Sequence, residues 1–308
     1  MRSAARIYRL QLALALVGAG AVALGLLVVL RALDLSLPSA EAMFAACRSL
    51  LIPDAGPAAL LLLPLAGIST LALILGGRSL VRQVRGKRRF LASLRILHAS
   101  DVAGTRVTVF DSRRPQAFCA GFLRPRIYLS TAAAALPGGH LEAIVAHERH
   151  HRRRRDPLRL LVARTLSEAL FFMPALRRLT ERYGALAELA ADEAAVHEHD
   201  RSTLAAALLS FGEGHNPAGV VGVAPERVDH LLGRPPRWEL PVSLLVASGV
   251  AIGGLVGGAM TARALTSAAE LNLPLLVAQS CMLIMLAAPL LLAAAALVLG
   301  RPSPRRRP

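Results

Sequence analysis

Five consecutive residues, His147-Glu148-Arg149-His150-His151, have the pattern H-E-x-x-H. On a helix, residues four apart lie one turn apart on the same face, so His147 and His151 can grip one metal ion. Glu148 lies about 100° round the helix from His147, within reach of a water on that ion. Together they supply two ligands and a general base for metal-assisted hydrolysis. His150 is also three residues from His147, but only the His147/His151 register puts a glutamate directly after the first histidine. Hydrolysis at zinc needs a third protein ligand and an open fourth position. Glu188-Leu-Ala-Ala-Asp192 offers that ligand, because i, i+4 spacing puts both carboxylates on one helix face. Glu188 can bind Zn2+, and Asp192 can accept the ring N–H of a ligating histidine and so fix its tautomer. Two histidines and one glutamate are a working catalytic zinc set. Tyr183, His197, His199 and His230 are the candidates to meet the oxyanion of a tetrahedral intermediate, and the sequence does not choose among them. His197 and His199 flank Glu198 near a helix end, where exposed side chains are the rule.

These residues must be held by the one long polar region, residues 78–238. Residues 89–98 have apolar positions every three to four and predict a helix. Three short β-like runs come next at 107–110, 116–123 and 127–130, separated by Asp111-Ser-Arg-Arg-Pro115 and Arg124-Pro-Arg126, which predicts a small antiparallel sheet. After Pro137-Gly-Gly139 a helix is expected over 140–155. It stops before Asp156-Pro157, because the residue before proline avoids the helical region. Residues 158–176 are apolar but carry Arg159, Arg164 and Glu168; a membrane span would have to bury those charges. The segment therefore reads as a helix lying against the membrane or the core, with Arg164 and Glu168 spaced to pair. Residues 177–196 read as a further helix, and the four arginines at 152–155 suit the C-terminal end of the metal helix.

The rest of the chain is apolar in a different way. Of 308 residues 54% are hydrophobic but only 4% aromatic, so the apolar mass is Leu, Ala, Val and Gly, as in lipid-facing helices. Four uncharged stretches are long enough to span a bilayer: 10–30, 57–76, 241–262 and 274–299. The first is too long for a secretory leader and lacks a clear small-residue cleavage site, so it reads as an uncleaved anchor. The net charge of +16 is almost all arginine and falls in three places: the N-terminus, residues 78–95 and the tail. Four crossings put all three on one side, which by the positive-inside rule is the cytosol. The basic strip at 78–95 then rests on anionic lipid. Direct nucleic-acid binding is not expected, since no reading helix accompanies the charge. Cys47, Cys119 and Cys281 fall in different compartments of this topology and form no C-x-x-C pair, which excludes a disulfide and a thiolate metal site. Gly249, Gly253 and Gly257 give the third span a small-residue face suited to close helix packing, within the bundle or in a homodimer.

Several motifs in one order point further. Ala117-Phe-Cys-Ala-Gly-Phe-Leu-Arg-Pro-Arg-Ile-Tyr-Leu129 precedes Ala146-His-Glu-Arg-His-His151; then come Arg154, Asp156-Pro157, Phe171-Phe-Met-Pro174 and Glu188-Leu-Ala-Ala-Asp192. Over residues 106–232 the chain resembles the BlaR/MecR-type membrane zinc peptidases, the antirepressor group of gluzincins. The resemblance implies His147, His151 and Glu188 as zinc ligands, Glu148 as base and Asp192 behind a ligand. It implies a repressor of the BlaI/MecI kind as substrate, and a substrate peptide held in extended form along the strand at 116–123. The antibiotic-sensing members carry a large external sensor domain after the last span. Here Gly300 is followed by Arg-Pro-Ser-Pro-Arg-Arg-Arg-Pro, so sensing through such a domain is not expected. HtpX-type quality-control peptidases are similar in their motifs, but they place spans between the two motifs.

The expectation is thus an α-helical, multi-pass protein of the cytoplasmic membrane with four spans and a cytosolic, mainly-α zincin-like domain. Residues 1–77 form a two-span module, 78–236 the zinc metallopeptidase domain, 237–300 a second two-span module and 301–308 a basic tail. The expected activity is zinc-dependent endoproteolysis in signalling. Membrane-protein quality control is the alternative enzyme reading, and a zinc-binding signalling scaffold the non-enzyme one. Glu148 argues against the scaffold, since a structural zinc site needs no base.

Overall fold

The computed structural model describes residues 2–34, 39–41, 57–212, 227, 229, 240–265 and 271–272. Expectations about Cys47, Cys281, His230, the span at 274–299 and the tail lie outside the described residues.

Three described helices are long and apolar enough to cross a membrane. Helix α1 is Arg2–Ala32, α2 is Pro57–Ala92 and α8 is Val242–Leu265. The 36 residues of α2 extend about 54 Å at 1.5 Å per residue, against roughly 30 Å of bilayer hydrocarbon. The helix does not stop where its apolar stretch ends. It runs on through Gly76, Gly77 and Gly86 as well as Arg78, Arg82, Arg85 and Lys87, since arginine and lysine are good helix formers and offset the glycines.

Between α2 and α8 lies a mixed sheet succeeded by helices. The strands are β1 (Ile96–Val102), β2 (Thr105–Phe110), β3 (Ala117–Ala120) and β4 (Arg126–Ser130), in the spatial order β1-β2-β4-β3. The helices are α3 (Thr131–Ala134), α4 (Gly138–Arg154), α5 (Asp156–Ala169), α6 (Pro174–Glu198) and α7 (Arg201–Gly212). The structure corrects two sequence expectations. Ile96, Leu97 and His98 belong to a strand, not to the helix expected over 89–98. Ile96 and His98 pair antiparallel with β2, with an irregularity at Leu97, and the strands join through a two-residue turn in which Ala103 (φ 46°) and Gly104 (φ 68°) are both left-handed, as a tight hairpin requires. The sheet is also not purely antiparallel, because β2 and β4 run parallel. Strand β4 carries Ile127 and Leu129, both fully buried, and takes the interior place beside β2. Strand β3 is displaced to the edge and pairs antiparallel with β4. Gly121 makes the turn between them: its φ is 105°, and a Cβ there would lie 2.7 Å from the Arg124 carbonyl oxygen.

Helix α4 is buried from both sides. Val145 packs on Val107, Ile127 and Leu129 of the sheet. Ala143, Ile144 and Ala146 pack on Ala195 of α6 and on Leu204, Ala207 and Leu208 of α7. Asp200 caps α7, accepting from the Thr203 backbone N–H at 2.7 Å. Helix α5 has 14 residues, short of the roughly 20 needed for a span, and its Glu168 pairs with Arg82 of α2 at 2.5 Å instead of with Arg164.

The chain divides into two compact units. One comprises Met1–Gly20 and Thr70–Gly253, the other Ala21–Ser69 and Gly254–Pro308. In the first, the opening turns of α1 are part of the core around the soluble helices: Ala4 and Ile7 are buried with Leu179, Tyr183 and Leu186 of α6. Gln11, fully buried, donates from Nε2 to the Ala163 carbonyl (3.2 Å) and to Thr180 Oγ1 (2.6 Å). In the second, Ser69 Oγ of α2 donates to the Val22 carbonyl of α1, and Leu33–Asp34 pairs in parallel with Leu271–Asn272.

Candidate metal centre

Elsewhere along its packing against α6, α4 brings the polar residues of the two helices together. His147 and His151 stand one turn apart, with their Nε2 atoms 3.2 Å from each other. Glu188 of α6 places Oε2 3.5 Å from His147 Nε2 and Oε1 3.5 Å from His151 Nε2. These three residues form a group able to hold a metal ion. Zinc bonded to nitrogen and oxygen at 2.0–2.2 Å in tetrahedral geometry would separate adjacent ligand atoms by about 3.3–3.5 Å. The 3.2 Å between the two Nε2 atoms is close to one such edge, and each Nε2 meets a different Glu188 oxygen at 3.5 Å, so the three residues surround a position a metal ion could take. Glu188 is 36% exposed while the histidines are buried, so the site has one side open to incoming groups.

Each histidine is backed through its other nitrogen. His147 Nδ1 is 2.9 Å from Asp192 Oδ1, and His151 Nδ1 is 2.9 Å from Asp156 Oδ2. With Nδ1–H directed to Asp156, His151 Nε2 is left with its lone pair for a metal, while Asp192 stands beside His147 Nδ1 as a charged neighbour. Asp156 reaches His151 because Arg155 is left-handed (φ 53°, ψ 41°) and folds the chain back after α4. Its second oxygen accepts the Tyr183 hydroxyl at 2.7 Å. That bond, and the 1% exposure of Tyr183, take its hydroxyl out of the set of oxyanion candidates. His197 is exposed and His199 partly so, and neither joins the group. His150 turns elsewhere, lining a small cavity with Ala4, Arg154, Asp156, Arg159 and Tyr183. Burial, and then the neighbouring His151, push the His150 ring down to about 4, so it stays neutral.

Glu148 is buried beside His147 and acts electrostatically on Arg227 and on Cys119 of β3. Burial, and then the Glu148 charge, push the Cys119 thiol up to about 12, which keeps it a thiol and not a metal-binding thiolate. Phe118, next to Cys119, stacks on Tyr128 (5.3 Å between centroids) and contacts Phe90 and Phe110, which anchors the edge strand over α4.

Sequence reasoning assigned no role to two residues that the structure brings to the centre. Asp156 stands in the sequence as a pre-proline residue and within one of the motifs that carry the resemblance, with no partner assigned. Arg227 carried no signal beyond its place inside the resembling stretch. Its Nε and Nη2 donate to Asp192 at 2.7 and 2.5 Å, and its Nη1 lies 3.2 Å from Glu188 Oε2.

In the metal-free protein burial opposes a charge on His147, but the Asp192 and Glu188 carboxylates outweigh it and raise the ring to about 10. Burial also opposes the charges on Glu188 and Asp192, yet His147 and Arg227 hold both near 2. A metal must therefore displace a proton from His147. Apparent zinc affinity then rises roughly tenfold per pH unit between about pH 6 and pH 8, and falls on acidification. Calorimetric titration in buffers of different ionisation enthalpy should read the release of about one proton. A flat affinity over that range would show that the ring is already neutral.

The model of the family described as BlaR1 peptidase M56 matches residues 60–232, more than half of the chain. No curated protein and no solved structure gives a match.

Proposed function

The chain belongs to the family of BlaR1-type M56 peptidases, and on that basis we propose that it is a zinc endopeptidase cleaving protein substrates at a membrane. The observation that carries this reading is the convergence of His147 Nε2, His151 Nε2 and the Glu188 carboxylate, with ligand atoms from all three residues within 4.8 Å of one another. In this reading His147, His151 and Glu188 hold the metal, and Asp192 and Asp156 fix the histidine tautomers. When bound, zinc supplies Lewis acidity, polarising the scissile carbonyl and bringing the pKa of water toward neutrality. Glu148 takes the proton of the attacking water and hands it to the leaving amine. Among the described residues β3 pairs on one side only, which supports its use as an edge along which an extended substrate adds as a strand.

The membrane arrangement in this reading has four spans: the three described helices and residues 274–299. Both termini and the peptidase region lie in the cytosol at the cytoplasmic membrane. The arginine distribution supports this, and so does the packing of α1's opening turns against α6, which needs the N-terminus and the peptidase region on one side. Functionally, 1–77 and 237–300 are membrane modules, 78–236 the catalytic region and 301–308 a basic tail. The face of Gly249, Gly253 and Gly257 meets nothing within 4 Å among the described residues, which supports a helix partner there, either the fourth span or a second copy. The substrate class is a cytosolic repressor of the BlaI/MecI kind.

The test uses isolated membranes containing the chain and a co-expressed repressor of that kind, monitored on gels. Cleavage of either should stop when a chelator strips the metal and return when zinc is added back. Cleavage that persists without metal would sink the reading. Bound zinc with no hydrolysis of any substrate would favour a signalling scaffold.

A further inference from the structure

Arg227 is a buried charge that the hydrolytic chemistry does not use. Its residue is 7% exposed, and its three guanidinium nitrogens meet two carboxylates on successive turns of α6. Nε donates to Asp192 Oδ2 (2.7 Å) and Nη2 to Asp192 Oδ1 (2.5 Å), a two-pronged contact made across 35 residues of sequence. Nη1 lies 3.2 Å from Glu188 Oε2. Asp192 is fully buried, and its Oδ1 is shared between Arg227 and His147 Nδ1. The same fork thus touches the glutamate expected on the metal and the aspartate that backs a metal-binding histidine.

The geometry of a guanidinium is what makes this arrangement possible. Its donors are fixed in a plane, so two can lock one carboxylate while the third restrains a neighbour. A lysine offers one point of charge on a flexible stem and cannot fix both carboxylates at once. Without the fork, Asp192 would be a buried carboxylate with one partner, and Glu188, partly exposed, would be free to leave the position that faces both Nε2 atoms.

We infer that Arg227 is a positioning residue that locks Asp192 against His147 and aims Glu188 at the metal, so that the site is preformed before the metal arrives. The inference rests on the proposed metal site and gives Arg227 no contact with substrate.

The test uses the full-length chain in detergent. Zinc affinity is read by competition with a chromophoric chelator, and metal geometry by the visible spectrum of the cobalt-loaded protein. Arg227→Lys should weaken zinc binding about 10- to 100-fold and alter the cobalt bands, as expected when a group that orients a ligand is lost. Asp192→Asn should do the same, and the double variant should lose less than the sum of the two single losses, because both changes break the shared Arg227–Asp192 contact. Wild-type affinity and an unchanged cobalt spectrum in Arg227→Lys would overturn the inference, and so would full additivity of the two changes. If Arg227→Lys does not fold, as judged by its thermal melt, Asp192→Asn decides alone: wild-type zinc affinity in that variant overturns the inference. A Glu188→Ala control separates the two readings. If it keeps wild-type zinc affinity, the metal site itself is wrongly assigned. If it loses zinc while Arg227→Lys does not, only the role of Arg227 fails.

Discussion

Glu148→Gln is expected to slow peptide hydrolysis by a factor of about 10² to 10⁴ while zinc stays bound at the wild-type level. The amide keeps the size of the carboxylate, so the buried position beside His147 remains filled. What it loses is the ability to take a proton from water and return it to the leaving amine. Glu148 is not among the three residues that meet at the metal position, which is why metal content should be unaffected. The measurement is the single-turnover rate of cleavage in membranes together with zinc content by atomic absorption. A rate within a few-fold of wild type, with zinc bound, would show that another group is the base. Loss of both rate and zinc would show that Glu148 is part of the metal site.

The second large effect falls on the metal. His151→Ala is expected to reduce zinc affinity by more than the roughly 10- to 100-fold typical of losing a group behind a ligand, because it removes a ligand atom outright. His151 Nε2 is 3.2 Å from His147 Nε2 and 3.5 Å from Glu188 Oε1. The companion variant His150→Ala should bind zinc as wild type does, since that ring lines a separate cavity with Tyr183 and Arg159. The pair tests the register of the motif directly. Zinc loss in His150→Ala with retention in His151→Ala would reverse the assignment. Thermal melts of the metal-free proteins separate metal loss from unfolding.

Much of the site is legible in sequence because it depends on spacing along single helices. His147, Glu148 and His151 are placed by one turn of α4, and Glu188 and Asp192 by one turn of α6. The membrane helices are legible for a similar reason, since length and apolar composition are local properties. The end of α4 falls where the sequence put it, but left-handed Arg155 makes the break while pre-proline Asp156 opens α5, and the contact of Asp156 with His151 is not legible. The helix expected over 89–98 shows where local pattern fails. Its apolar spacing suits a helix, but the run from Ile96 onward gains a partner strand through the turn at Ala103 and Gly104, and cross-strand pairing outweighs helical periodicity.

By itself, then, the sequence picks out the residues that meet at the candidate metal centre and the segments long and apolar enough to cross a bilayer. Both depend on helical geometry and transfer from water, which act over a few residues. Only the tertiary structure decided which groups stand behind them. It brings Asp156 under His151 through a left-handed residue at Arg155, and Arg227 onto Asp192 and Glu188 from far along the chain. It also puts β4 inside the sheet and β3 at the edge. These are contacts between separate elements, fixed by which buried surfaces and charges must find partners once the core closes, and no local pattern records them.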